Sequence, residues 1–281
     1  MNMFRLFPRF VRRLPDYFIA TKHLYLRSEL NLPVNVCIFD DRRFFYTPDS
    51  LNIHDLWVHH CTSYYTRNEV REWLKFSDGC RSLLDAGSSA GFFSGIFNRT
   101  TEGAGNILSV EPDIQSFRLL QETIRLNKGG NNWRSTNCAL SGKEGHLTFY
   151  PSDFGGDLGG VGTSRPNIYR GDEKESDEFP PELVRVETLE SLCKGQGFVP
   201  DLIKMDIESY EYETLTAATA FLEKFRPKLF LELHNEKIRG RGLNPETLMD
   251  SLRRVGYRCI GSNKPAALFS PPTVHLCIVP S

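Results

Sequence analysis

From Arg81 onward, short apolar runs alternate with stretches of helical periodicity. In the helical stretches apolar side chains recur every three or four positions, whereas the runs between them have the length and composition of buried strands. Strands that alternate with helices through short connections predict an α/β fold with a doubly wound, mostly parallel sheet. The predicted buried strands span residues 82–87, 107–112, 202–207 and 228–234.

Three amphipathic helices follow from the same pattern. Asp113 stands where the N-cap of the second helix is expected, and Gly129 stands just past its end. The apolar stripe consists of Phe93, Ile96 and Phe97 in the first helix, of Phe117, Leu120 and Ile124 in the second, and of Leu215, Ala218 and Leu222 in the third.

Two parts of the chain depart from this alternation. Residues 1–80 are rich in aromatics and have no clear period, so we predict an N-terminal extension over 1–64, on or near the active site, before a main domain over 65–281. Residues 145–150 alternate at period two, as an exposed or edge strand does. The glycine-rich and charged run 152–181 that follows has two open interpretations, a substrate lid or a disordered surface insertion.

Composition narrows the possible partners and compartment. The net charge is −1, so no overall positive field would recruit nucleic acid. The seven cysteines are scattered without C-x-x-C pairs, which favours reduced thiols and a cytoplasmic location. No apolar run is long enough to span a bilayer. The basic, aromatic residues 1–15 suit a packed arm, with peripheral membrane contact as the alternative.

A strand-end turn holds Asp85 and two glycines four residues apart, Gly87 and Gly91. Ser89 stands where a dinucleotide-binding turn has its second glycine, which lets backbone amides approach a pyrophosphate. A ligand without phosphates tolerates this serine, and S-adenosylmethionine is such a ligand. We expect Asp85 to receive its ammonium group, directly or through water, and the turn amides to receive its carboxylate.

Glu111 ends the next predicted strand. An acid at this place in a doubly wound fold accepts hydrogen bonds from both ribose hydroxyls of a nucleoside cofactor. NAD has the same ribose, so Glu111 alone leaves both cofactors open.

A third predicted strand carries charges on one side. Period two puts Lys204, Asp206 and Glu208 on the same side of an otherwise apolar strand, where each charge needs a partner or a ligand. The alternative is an internal Lys–Asp salt bridge, with Glu208 and Glu211 facing water at a helix start.

With these motifs the chain resembles the FkbM-type methyltransferases, from about Tyr65 to the C-terminus. That family has D-x-G-A-N-x-G in the first turn, F-E-P after the next strand, K-[IV]-D-[IV]-E-G-x-E later and a final P-x-x-x-x-E-x-H. Ser89, Ser209 and Glu190 replace its usual Asn, Gly and Asp. The matching segments are residues 85–91, 110–112, 139–141, 204–211 and 227–234.

The resemblance implies a Rossmann-like class I methyltransferase with a seven-stranded sheet. It implies S-adenosylmethionine as the cofactor and the hydroxyl group of a sugar or other small molecule as the acceptor. The implied catalytic residues are Asp206, His234, Glu208, Glu211 and Lys204. Those implied to bind the cofactor are Asp85, Gly87, Ser88, Ser89, Gly91, Glu111, Pro112, Ala139, Leu140 and Asp206.

Several alternatives stay open. The serines at 89 and 209 are also compatible with a decayed, non-catalytic binding protein built on the same fold. An NAD-dependent oxidoreductase would require a tighter glycine turn. A nucleic-acid methyltransferase would require a basic face. No spacing of His, Cys or acidic residues requires a metal, so we assign no metal ligand, and a metal-assisted route stays open because acidic residues are plentiful.

Overall fold

The structure is a computed structural model that describes residues 34–37, 43–46, 64–127, 132–150, 165–166, 182–260, 269 and 271–281. Residues 1–15, Gly129 and nearly all of 152–181 lie outside the described residues, so the predictions made for them stay predictions. The strands are β1 (Val34–Cys37), β2 (Arg43–Tyr46), β3 (Ser82–Ala86), β4 (Asn106–Val110), β5 (Trp133–Thr136), β6 (Ala139–Leu140), β7 (Gly145–Tyr150), β8 (Arg165–Pro166), β9 (Glu182–Glu187), β10 (Leu202–Met205), β11 (Lys228–Leu233), β12 (Tyr257–Ile260) and β13 (Val274–Pro280).

The main sheet has seven strands in the order β12-β13-β11-β10-β3-β4-β5. Strands β11, β10, β3, β4 and β5 run parallel, whereas β13 is antiparallel to both of its neighbours. This confirms the predicted doubly wound, mostly parallel seven-stranded sheet. Because β3 and β10 are adjacent at its centre, their carboxyl ends lie side by side.

The apolar stripes predict the helices well, with one exception. Asp113 caps its helix as expected, its Oδ2 accepting a hydrogen bond from the backbone N–H of Ser116 at 2.7 Å. The third stripe was predicted as one helix, but the chain breaks at Ala218 into two short ones. The helices are α1 (Tyr64–Phe76), α2 (Phe92–Thr100), α3 (Ile114–Leu126), α4 (Leu189–Gln196), α5 (Glu211–Ala217), α6 (Thr219–Phe225), α7 (Asn235–Gly240) and α8 (Pro245–Arg254).

Helix α1 corrects the statement that residues 1–80 have no clear period. Its buried face carries Val70 and Trp73, and the Trp73 ring packs edge-on against Phe93 and Phe230 at 5.2 Å from each. This aromatic cluster covers one face of the main sheet. The backbone of β2 lies next to α2 and α3. The predicted division of the chain at residue 64 stays a prediction.

A second, four-stranded sheet has the order β6-β9-β7-β8. Strand β7 was predicted as an exposed or edge strand, and it pairs with β9 on one side and with β8 on the other. Among the described residues β8 pairs only with Phe149 and Tyr150, so the rest of β7 lies at the edge of this sheet, and Gly145 and His146 are exposed, as predicted.

Within the described ranges, no helix is both long enough and apolar enough to cross a membrane. In the same ranges Cys80, Cys138, Cys193, Cys259 and Cys277 carry free thiols.

Candidate active site

Strand register gathers polar groups on one face of the main sheet. Lys204 lies in register with Asp85 on β3 and with Phe230 on β11. Because register partners point to the same side, these three side chains share the face that is covered by α1 and α2. A row of titratable groups therefore stands next to the aromatic cluster, at the carboxyl end of the sheet.

Gly87 ties the first turn to β10. Its φ is +72°, and a Cβ there would overlap the carbonyl oxygen of Asp206. The backbone N–H of Asp206 donates to the carbonyl of Ala86 at 3.0 Å, and the Nζ of Lys204 donates to the carbonyl of Gly87 at 3.1 Å. Only glycine permits so close an approach. The turn and Asp206 thus form one unit.

The amides of this turn already have partners within the protein. The N–H groups of Gly87 and Ser88 donate to the carbonyl of Val110 at 3.0 and 3.1 Å, and that of Gly91 donates to Ser88 at 2.8 Å. The N–H of Ser89 donates to the Oε2 of Glu111 at 2.7 Å. The turn thus wraps around the end of β4, and the contact between its amides and a cofactor carboxylate stays a prediction.

Glu111 is 6% exposed, and its second oxygen accepts the N–H of Asp113 at 2.9 Å. Burial raises the pKa of its carboxyl to about 8, although both backbone hydrogen bonds lower it. Each carboxylate oxygen keeps a lone pair for a ribose hydroxyl. The side-chain amide of Asn137, which sequence reasoning missed, holds this segment by donating to the carbonyls of Glu111 and Pro112 at 2.8 Å each.

Asp85 lies inside the protein, 1% exposed. Its Oδ2 accepts the hydroxyl of Ser94 at 2.6 Å, and its Oδ1 lies 3.9 Å from the Nζ of Lys204. Burial raises the pKa of Asp85 despite the lowering effects of Lys204 and Ser94. Among the described residues the partners of Asp85 are thus internal, and its contact with the cofactor ammonium, directly or through water, stays a prediction.

Lys204 joins the two strands electrostatically. Its Nζ lies 3.5 Å from the Oδ2 of Asp206 as well as 3.9 Å from Asp85. Burial would lower the pKa of Lys204, but these carboxylates raise it above its usual value. Burial likewise would raise the pKa of Asp206, whereas Lys204 and His234 lower it. The internal salt bridge considered as an alternative is therefore present.

The rest of that alternative is wrong, because Glu211 does not face water. It is 0% exposed, and its Oε1 accepts the backbone N–H of Ile207 at 2.8 Å and lies 3.2 Å from the Nδ1 of His234. The opposite ring nitrogen of His234, Nε2, lies 3.4 Å from Glu208 and 3.8 Å from Asp206. The structure thus brings four predicted catalytic residues together around one imidazole.

The electrostatics of this group are dominated by carboxylates. Burial would lower the pKa of His234, but Glu211, Glu208 and Asp206 raise it to about 9. Burial raises the pKa of Glu208, while His234 and Lys237 lower it. Lys237 on α7 forms an ion pair with Glu208.

Sequence reasoning missed Glu69, Glu232 and His275. The Nδ1 of His275 lies 3.4 Å from Glu69 and 3.9 Å from Glu232, and Glu232 in turn lies 4.0 Å from the Nε2 of His234. Burial and the nearby Asp206 raise the pKa of Glu232 to about 8, and burial raises that of Glu69. The available signal was the charged Glu232 within an apolar strand, two residues before His234.

Ala139 and Leu140 lie apart from this group. They form β6 of the second sheet and pair with β9. Among the described residues, no hydrogen bond or ion pair connects them to Lys204 or His234. Their predicted contact with the cofactor stays a prediction.

The seven-stranded sheet and the acidic groups at its carboxyl edge define the Rossmann-like class of fold that methyltransferases use. The profile of the Methyltransferase FkbM domain matches residues 85–259. The chain therefore belongs to the FkbM methyltransferase family.

Solved structures similar to this chain include methyltransferase FkbM from Methylobacillus flagellatus KT, at 16% identity and a TM-score of 0.47; the match covers 96% of this chain and 59% of that one. The O-methyltransferase from Bacillus cereus in complex with SAH is 11% identical, with a TM-score of 0.40 and coverage of 83% and 92%. Aeropyrum pernix fibrillarin with natively bound S-adenosyl-L-methionine is 10% identical, with a TM-score of 0.42 and coverage of 75% and 74%. The sequence matches no curated protein.

Proposed function

We propose that this protein is an S-adenosylmethionine-dependent methyltransferase that methylates a hydroxyl group of a small molecule such as a sugar or another natural product. Family membership supports the methyltransferase class. The observation that carries the proposal is that the glycine turn contacts an acid suited to a ribose on one side and the backbone of a second acid on the other. Glu111 bonds to the turn through Ser89, and Asp206 contacts it through Gly87.

The charge of the site favours this cofactor over a dinucleotide. S-adenosylmethionine carries a sulfonium and an ammonium group, whereas a dinucleotide carries an anionic pyrophosphate. Within the described residues, the lysines beside the turn are already paired, Lys204 with Asp206 and Lys237 with Glu208. A cationic methyl donor is therefore attracted to this edge of the sheet and a pyrophosphate is repelled.

Methyl transfer is an in-line displacement, so the donor and the acceptor oxygen must be aligned at near-contact distance. Asp206 lies between the turn and His234, which supports a role for its carboxylate beside the sulfonium. His234 follows β11, the next strand, which supports a position on the acceptor side. The carboxylates around His234 are available to take the proton that the acceptor hydroxyl loses.

The test is Asp206→Asn, which keeps the shape and removes the charge. Release of S-adenosylhomocysteine is measured with a panel of sugar and natural-product acceptors. We expect turnover to fall by about two orders of magnitude, the usual scale for a lost electrostatic or acid–base group. The melting temperature should change little, because Lys204 keeps Asp85 and the carbonyl of Gly87 as partners.

Glu122→Gln is the matched control, since Glu122 pairs with Arg125 on the exposed face of α3. It should leave turnover unchanged. Unchanged turnover per folded molecule in Asp206→Asn would contradict the proposed role of Asp206.

A further inference from the structure

The imidazole of His234 is fixed through Nδ1, and its Nε2 faces three carboxylates. His234 is 6% exposed, and the Oε1 of Glu211 holds its Nδ1 at 3.2 Å. Its Nε2 lies 3.4, 3.8 and 4.0 Å from oxygens of Glu208, Asp206 and Glu232. All three distances exceed the roughly 2.7–3.2 Å of an N–H···O hydrogen bond. Among the described residues, Nε2 is thus aimed at a set of carboxylate oxygens that lie at ion-pair distance from it.

We propose that Asp206, Glu208 and His234 bind a divalent cation. Their ligand atoms all lie within 4.8 Å of one another. In an octahedral site with bonds of about 2.1 Å, neighbouring ligand atoms are about 3.0 Å apart and opposite ones about 4.2 Å apart. Nε2 lies 3.4 and 3.8 Å from the oxygens of Glu208 and Asp206, so both carboxylates must move closer to Nε2 to become its neighbouring ligands. Two carboxylates with one imidazole suit Mn²⁺ or a similar transition metal better than Ca²⁺, which prefers oxygen alone.

Glu211 supplies the outer support that such a site needs. A histidine that binds metal through one ring nitrogen usually donates the other N–H to a carboxylate, which fixes the ring orientation. Glu211 is fully buried and lies against Nδ1, which leaves Nε2 for the metal. Glu208 has a φ of +57°, a strained backbone conformation that is concentrated at functional sites.

Two further features of the site supply variants for the test: a competing ion pair and a second set of possible ligands. Lys237 pairs with Glu208, so a cation must displace its ammonium group. Glu69, Glu232 and His275 form a second set whose ligand atoms also lie within 4.8 Å of one another. The His275 side chain is 40% exposed, and among the described residues no carboxylate fixes its Nε2, so we assign the cation to His234.

A cation here would have positions left for an acceptor hydroxyl, whose pKa it would lower. This catalytic role rests on the proposed function, whereas the binding of the metal does not.

The experiment titrates the full chain with MnCl₂ after treatment with a chelator and measures free Mn²⁺ by electron paramagnetic resonance. We expect one Mn²⁺ per chain. Glu208→Gln and His234→Gln should each weaken Mn²⁺ binding by about tenfold or more, because each removes a ligand. Glu211→Gln should weaken it by roughly tenfold, the lower end of the range for losing a group that supports a ligand. Lys237→Met should bind roughly threefold to tenfold tighter, because no charge-assisted contact has to be displaced. Misfolding cannot produce that gain.

Glu69→Gln and His275→Gln are the matched controls and should leave Mn²⁺ affinity within about twofold of the wild type, as expected for side chains that do not ligate it. The proposal is overturned if no Mn²⁺ binds, if Lys237→Met weakens binding, or if the two controls lose the metal while Glu208→Gln keeps it. Binding of S-adenosylhomocysteine is measured separately by calorimetry. If the protein binds S-adenosylhomocysteine but does not bind Mn²⁺, the metal site is refuted and the proposed cofactor is not. If it binds Mn²⁺ but does not bind S-adenosylhomocysteine, the proposed cofactor is refuted.

Discussion

At the scale of single residues, three residues around the site have a positive φ, in the left-handed region of backbone conformation. Ser89 has a φ of +48°, Glu208 of +57° and Ser209 of +89°. The related family has Asn and Gly where this chain has Ser89 and Ser209, and both of those residues adopt such conformations more readily than serine. The two serines therefore hold a positive φ at a cost of about 1 kcal/mol per position.

Ser89→Gly should raise the free energy of unfolding by about 1 kcal/mol and the melting temperature by roughly 2–4 °C. Glycine relieves the positive φ and keeps the backbone N–H that bonds to Glu111. Ser88→Gly is the matched control in the same turn, where φ is not positive. It should destabilise by about 1 kcal/mol, because it loses the hydroxyl bond to the carbonyl of Val110. Equal effects of the two substitutions in urea denaturation would contradict the assignment of strain to Ser89.

Glu111 should make stability depend on pH. Burial raises its pKa from 4.5 to about 8, so between these values the folded protein holds a proton that the unfolded chain has released. The free energy of unfolding should therefore fall as pH rises through this window, by on the order of 2 kcal/mol between about pH 6 and 8.

Urea denaturation of the wild type and of Glu111→Gln at both pH values measures this effect. Other groups titrate in both proteins, so the difference between their pH slopes isolates Glu111. The same slope in both proteins would show that Glu111 has no raised pKa.

At the scale of elements, the sequence predicted strands and helices wherever burial was continuous. Strand β10 was expected from its apolar run, and the side on which Lys204 points followed from period two. Its partners did not follow, because strand order decides which chain lies alongside. Helix α1 was missed although Val70, Trp73 and Leu74 recur at helical spacing, because they follow a long stretch without a clear period. The break at Ala218 does not follow from the apolar stripe, which continues to Leu222.

Lys204 should act as the electrostatic link between β3 and β10. Lys204→Met leaves the carboxylate of Asp85 buried without its cation and should destabilise by about 3–5 kcal/mol. Asp85→Asn should lower stability less, because Lys204 keeps Asp206 and the carbonyl of Gly87. The double variant should recover at least about 1 kcal/mol relative to Lys204→Met. A double variant less stable than Lys204→Met would refute this link, and urea denaturation measures all three.

At the scale of the whole molecule, the motifs carried most of the prediction. The order of glycine turn, strand-end acid and charged strand predicted the sheet. The same motifs identified Asp206, Glu208, Glu211 and His234 as candidate catalytic residues, and the structure places these four side chains together. The acidic residues Glu69 and Glu232 were not predicted as part of the site, and neither was His275. They meet only because β13 runs antiparallel beside β11 and α1 packs over the same face. Such encounters depend on the complete fold, so spacing along the chain does not show them.

The measurement that tests the central claim most directly is calorimetric titration of the full chain with S-adenosylhomocysteine, with NADH as the comparison ligand. We predict binding of S-adenosylhomocysteine, no binding of NADH, and an affinity about tenfold weaker in Glu111→Gln, which replaces one acceptor oxygen for the ribose by an amide group. Glu122→Gln should bind as the wild type does. Binding of NADH without binding of S-adenosylhomocysteine would contradict the account.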